Sequence, residues 1–110
     1  MVTKNESDAE KVCEYGGNWR VEVPEISRFF GIVIAIYWQE HGVPHFHAKS
    51  GGHRASFAIE DLRLLEGRLP PRVMALVVEW AVMHRKELME DWNLAMAKKP
   101  LTPIKPLDQE

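Results

Sequence analysis

Pro44-His-Phe-His-Ala-Lys-Ser-Gly-Gly-His-Arg-Ala-Ser-Phe-Ala-Ile59 is the stretch that decides the fold. Two alternating runs flank a Gly-Gly pair, the pattern of a β-hairpin with a short turn. Side chains two apart on a strand share a face. In the strand His45 to Lys49, Phe46 and Ala48 then point one way, and His45, His47 and Lys49 the other. In the strand Arg54 to Ile59, Ala55, Phe57 and Ile59 point inward, and Arg54, Ser56 and Ala58 outward. One face is suited to a core. The other carries imidazoles, cations and a hydroxyl, and is expected to meet solvent, with His45 and His47 side by side.

Upstream, Ser27 to Trp38 reads as one long strand. Phe30, Ile32, Ile34, Ile36 and Trp38 are expected on its core side, because that choice buries the most apolar area. Tyr37 then joins the polar face. Downstream, Leu62 to Leu65 reads as a short fourth strand, and Gly67 with Pro70-Pro71 ends the sheet. Pro71 suits a first helical position. Val73 to Met83 is apolar nearly all round except at Glu79, which predicts a helix lying against the sheet. Leu88, Trp92 and Met96 recur at helical spacing. One bent helix, or two with a break near His84-Arg85, covers 71–98. Trp80 and Trp92 are expected in the core. The proline-punctuated tail carries Leu101, Ile104 and Leu107, and should pack back on the domain or onto a partner.

The expected fold is therefore α+β: an antiparallel meander of three or four strands, followed by one bent or two C-terminal helices on one face. Residues 1–23 read as an N-terminal extension, with a short helix from Ser7 and a short strand over Trp19 to Val23. Residues 24–107 form a single domain, and 108–110 a tail.

A chain of 110 residues supports one core. The net charge of −2 gives no general attraction to nucleic acid or membrane, so any anion binding must come from a local patch. The single cysteine, Cys13, excludes an internal disulfide framework and a Cys-rich zinc site, and fits a cytoplasmic location. The apolar run from Phe29 to Trp38 is too short to span a bilayer. The first residues contain no apolar signal-peptide region.

His41, His45, His47 and His53 are four of the five histidines. Imidazole, with an ordinary pKa of about 6.5, takes or gives a proton near neutrality. One chemistry is acid–base cleavage of RNA without a cofactor. His45 and His47 would move protons, His41 would orient them, Lys49 and Arg54 would hold phosphate, and Tyr37 would stack on a base. A second is a hydrolase in which His41, His45 and His47 hold one divalent metal such as zinc, with Glu40, Glu60 or Asp61 nearby. A third is a non-catalytic protein-interaction module in which Pro-His-Phe-His is a structural turn. The residues alone leave these open. His84 is expected to be packed and hydrogen-bonded, and Glu79 to mark a wet helix edge.

Ile26-Ser-Arg-Phe-Phe-Gly-Ile-Val-Ile34, His41-Gly-Val-Pro-His-Phe-His-Ala48, Leu65-Glu-Gly-Arg-Leu-Pro70, Glu79-Trp80, His84-Arg85 and Asp91-Trp92 resemble a bacterial family, the domain of unknown function numbered 4160. The resemblance runs from about Pro24 to Leu107, and Pro-His-Phe-His-Ala is its most specific motif. Members begin near Pro24, so residues 1–23 depart from the pattern. Genes of the family often lie beside another small domain of unknown function (numbered 2442), an arrangement similar to a toxin–antitoxin pair. The resemblance therefore implies a small protein partner and a link to nucleic acid. A homo-oligomer formed through an exposed strand edge is a further expectation.

Overall fold

Phe30 and Gly31 turn the chain where one long strand is expected. Both have positive φ, 50° and 76°, the pair of left-handed residues that a type I′ hairpin requires. The computed structural model, described over residues 25–38 and 41–107, accordingly has β1 (Glu25–Phe29) and β2 (Ile32–Ala35) in place of a single strand. β3 (His45–Ser50), β4 (His53–Ala58) and β5 (Leu64–Arg68) follow. Among the described residues, two helices, α1 (Pro71–Met83) and α2 (Arg85–Met96), come after the strands and before the tail. The strands form one antiparallel sheet in chain order.

The architecture is thus an α+β meander with two C-terminal helices, with five strands rather than three or four. The expected helix and strand before residue 24, Cys13 and Glu40 lie outside the described residues.

The early turn changes which phenylalanine is buried. Phe29 pairs with Ile32 across the hairpin, so it joins Ile34 and Ile36 in the core. Phe30 sits at the turn and is about half exposed. Trp38 does not close the core; it is 51% exposed. Phe46 and Phe57, paired on neighbouring strands, stack at 5.5 Å between centroids. Trp80 of α1 covers them, with its ring 6.2 Å from Phe46 and 5.4 Å from Phe29. Leu88, Trp92 and Ala95 of α2 extend the same core.

The helices break at His84, which packs on Trp80 and donates from Nδ1 to the Glu87 carboxylate. Arg85 Nη1 donates to the Glu60 carbonyl at 2.7 Å and ties the start of α2 to the turn after β4.

β5 begins later than the sequence suggests and runs through Gly67 instead of ending there. Gly67 has φ +81°, and a Cβ there would lie 2.2 Å from the Arg54 carbonyl oxygen. Glycine is the residue that allows β5 to approach β4 so closely. Gly67→Ala is expected to cost about 1–3 kcal/mol, read as a lower urea midpoint, with early hydrogen exchange confined to β5.

The tail packs back on the domain. Ile104 N–H donates to the Ile26 carbonyl at 2.8 Å. Trp80 Nε1 donates to the Lys105 carbonyl at 2.9 Å. Thr102 N–H donates to Asp91 Oδ1 at 2.8 Å. Ile104 and Leu107 are buried as a result.

Asp91 is only 1% exposed, and its Oδ2 has no hydrogen-bond partner among the described residues. Burial, aided by the charges of Glu90 and Glu87 and opposed by the Thr102 N–H, raises its pKa above the ordinary carboxylate value. A raised folded-state pKa means that the native chain holds the proton more tightly than the unfolded chain. Its stabilising effect is complete below the ordinary carboxylate value and fades as pH rises through the raised one. Asp91→Asn keeps an oxygen for Thr102 without the charge. It is expected to gain about 1 kcal/mol at pH 7. Melting curves from pH 4 to pH 7 check this: the gap between variant and wild type should widen with pH.

Candidate functional site

The face of the sheet opposite Phe46 carries the residues that the alternation assigns to it. Its order comes from the strand register. Ala35 pairs with His47, His47 with Ser56, and Ser56 with Glu66. Paired residues of an antiparallel sheet share a face, so His47, Ser56 and Glu66 lie in one row across β3, β4 and β5.

His45 and His47 stand on the same side of β3, with ring centroids 5.1 Å apart at 72°. They do not project together into solvent. His45 is 8% exposed because Trp92 of α2 lies against it, at 5.2 Å between rings. The physical reason is that α2 wraps past the start of β3, so the first strand residue is covered and the third is not. Ser56 and Ala58, expected outward, are buried as well. His47 is half-buried and packs on Tyr37 at 4.6 Å. Trp92, His45, His47 and Tyr37 thus form a continuous file of rings leading from the helix to the open sheet.

The His45 Nδ1 lies 2.7 Å from the Val43 carbonyl oxygen. A carbonyl only accepts, so Nδ1 carries the hydrogen, and Nε2 is the basic nitrogen of the neutral ring. The turn before β3 therefore fixes the tautomer of the first imidazole. Pro44 contributes by disfavouring a helical conformation at Val43.

His47 borders three shallow depressions. One, of about 300 Å³, is lined by Tyr37, His47, Lys49, Arg54, Ser56 and Glu66, among others. A second, of about 400 Å³, is lined by His41, His45, His47, Ser56 and Glu66 together with Gly42, Val43 and Leu65. A third, of about 200 Å³, lies between His47 and the Glu25–Arg28 pair at the sheet edge. Arg28 holds the Glu25 carboxyl below its ordinary pKa through a side-chain hydrogen bond.

The site residues named from the sequence are therefore brought together in two overlapping groups. Tyr37, Lys49 and Arg54 share a depression with His47; His41 and His45 share the neighbouring one with it. His53 stands apart, at the far end of β4 next to the Gly51-Gly52 turn. Of the carboxylates suggested as neighbours, Asp61 is engaged by Arg63 at 2.8 Å, which lowers its pKa. Neither Asp61 nor Glu60 borders these depressions. Among the described residues, no three or more His, Cys, Asp or Glu side chains are grouped to hold a metal ion.

Glu66 is the site residue that the sequence reading missed. It borders both of the larger depressions. The signal was the length of the last strand: placing it over 64–68 puts Glu66 opposite Ser56.

A family model described as "Domain of unknown function (DUF4160)" matches residues 31–93, from the first turn to the middle of α2. The chain belongs to this family. The matched span includes β2 to β5 and all the site residues from Tyr37 to Glu66 of this DUF4160 protein. No curated protein and no solved structure matches the chain. Among the described residues, no helix is long and apolar enough to cross a membrane.

Proposed function

We propose that this DUF4160 protein is a metal-independent ribonuclease, one half of a bacterial two-gene module of toxin–antitoxin type that also binds a small protein partner. The observation that carries the enzymatic part is the position of His47. It lies beside a second imidazole and at the edge of a groove lined by Lys49, Arg54 and Tyr37.

RNA carries its own nucleophile, the 2′-hydroxyl. Cleavage needs a base to take the hydroxyl proton, an acid to protonate the leaving 5′-oxygen, and cations at the phosphate. The 2′-oxygen bonds to phosphorus, the P–O5′ bond breaks, and the products are a 2′,3′-cyclic phosphate and a 5′-hydroxyl. His45, with Nε2 as its basic nitrogen, takes the proton, and His47 gives one. His41 lies at the rim and orients the pair. Lys49 and Arg54 hold the phosphate, and Tyr37 offers a ring for a base to stack on.

Val82 and Met83, on the last turn of α1, are 53% and 58% exposed. The pair is smaller than the contiguous apolar patch that marks an interface, so the protein partner, like the two-gene arrangement, rests on the family resemblance.

The test is incubation of a mixed-sequence RNA with the purified protein in excess EDTA. Cleavage is expected, and an all-deoxy strand of the same sequence should stay intact. Activity silenced by EDTA, in protein that carries stoichiometric zinc, would favour the metal-dependent hydrolase instead. No cleavage under either condition, with partner binding retained, would leave the non-catalytic interaction module.

A further inference from the structure

The register of the sheet aligns more than the histidine row. Arg28 pairs with Val33, Val33 with Lys49, Lys49 with Arg54, and Arg54 with Arg68. All five strands contribute to this second row, and four of its five positions are cationic. At the usual strand spacing it spans about 19 Å. It lies on the same face as His47, Ser56 and Glu66, two residues along each strand. All four cations are exposed.

Like charges directly opposite on neighbouring strands repel and destabilise a sheet. Here Lys49 faces Arg54, and Arg54 faces Arg68. Arg28 is held by Glu25 through two hydrogen bonds of 2.8 Å and 2.9 Å. Among the described residues, no ion pair engages Lys49, Arg54 or Arg68. A line of three adjacent, uncompensated cations is what a linear polyanion relieves. In a chain of net charge −2 it is a local patch, not a general basic surface.

We propose that single-stranded RNA crosses the sheet along the row Lys49–Arg54–Arg68, at right angles to the strands. Its sugar edge faces the row His47–Ser56–Glu66. RNA as the ligand rests on the ribonuclease reading above; the form of the RNA and its path are the new inference. Three features favour a single strand over a duplex. The cations form one line, whereas a duplex presents two backbones. Tyr37, beside His47, can stack only on an unpaired base. Attack by the 2′-oxygen in line with the leaving oxygen needs backbone freedom that A-form stacking denies. Among the described residues, Glu66 is the one carboxylate that lines the groove. It lies on the sugar row, where a hydroxyl can donate to it, and not on the phosphate row.

The experiment uses a fluorescent 2′-O-methyl oligoribonucleotide of about twelve nucleotides, which binds but lacks the nucleophile. Anisotropy titrations run from about 50 to 200 mM salt, with the strand alone and annealed to its complement. The single strand should bind about tenfold more tightly than the duplex. Lys49→Ala, Arg54→Ala and Arg68→Ala should each weaken binding, and each should lower the salt slope by about 0.7. Arg72→Ala, on α1 and outside the row, should change neither.

Equal affinity for the duplex, or an Arg68→Ala variant with wild-type affinity and slope, would overturn the proposal. The two readings fail separately. Chelator-resistant cleavage without this binding pattern removes the path and leaves the ribonuclease. The binding pattern without any cleavage removes the ribonuclease and leaves the path.

Discussion

His47→Ala is expected to slow chelator-resistant RNA cleavage by about 10²- to 10⁴-fold, the usual contribution of a positioned proton-transfer group. The loss should appear in kcat, with KM for RNA little changed, because Lys49 and Arg54 remain to hold the phosphate. The fold should survive. His47 is half-buried on the groove side and makes its ring contacts with Tyr37 and His45, outside the aliphatic core. Far-ultraviolet dichroism and the urea midpoint serve as controls. His45→Ala is a less clean probe, since it also removes a buried ring from beneath Trp92. A His47→Ala protein that folds normally and cleaves RNA at the wild-type rate would remove His47 from the chemistry.

Trp80→Ala should have the largest effect on stability, about 3–5 kcal/mol. The indole is fully buried, touches Phe29 and Phe46, and donates Nε1–H to the Lys105 carbonyl. It therefore joins three parts of the chain: the first hairpin, the central hairpin and the tail. A loss of that size approaches the whole stability of a small domain, so poor yield of folded protein is the expected result. Trp80→Phe separates the two contributions. It keeps most of the apolar surface, removes the tail hydrogen bond, and should cost about 1 kcal/mol more than repacking alone. Limited proteolysis should then cut first within 100–107. A Trp80→Phe tail as resistant as wild type would show that the Ile104 and Leu107 contacts hold it unaided.

The central hairpin was legible because its alternation and its glycine pair agree. Each side chain of β3 and β4 falls on the face that the period of two assigns, and the helix break at His84 falls where periodicity changes. The first hairpin was not legible. Phe-Gly is an uncommon pair for a type I′ turn, since Phe30 must take a left-handed conformation, and an unbroken run of apolar residues hides the reversal. That one turn accounts for Phe29 replacing Phe30 in the core.

β5 was misplaced because its burial is slight on both sides, which leaves little pattern to read. With it went Glu66 and Arg68, whose places depend on register. The burial of His45 was hidden for a different reason. Period-two reasoning assigns a face, but it does not say where a helix on the other side of the chain will wrap around a sheet end. Trp92 was recognisable as a core residue, yet its contact with an imidazole is tertiary information.

His47 and its neighbours are expected to cleave RNA through the substrate's own 2′-hydroxyl. Mass spectrometry of the new ends, after digestion in excess EDTA, tests this most directly. The arrangement of His45, His47, Lys49 and Arg54 predicts 2′,3′-cyclic phosphates paired with 5′-hydroxyls, absent from a digest with His47→Ala. Ends carrying 3′-hydroxyl and 5′-phosphate, or intact RNA, would contradict it.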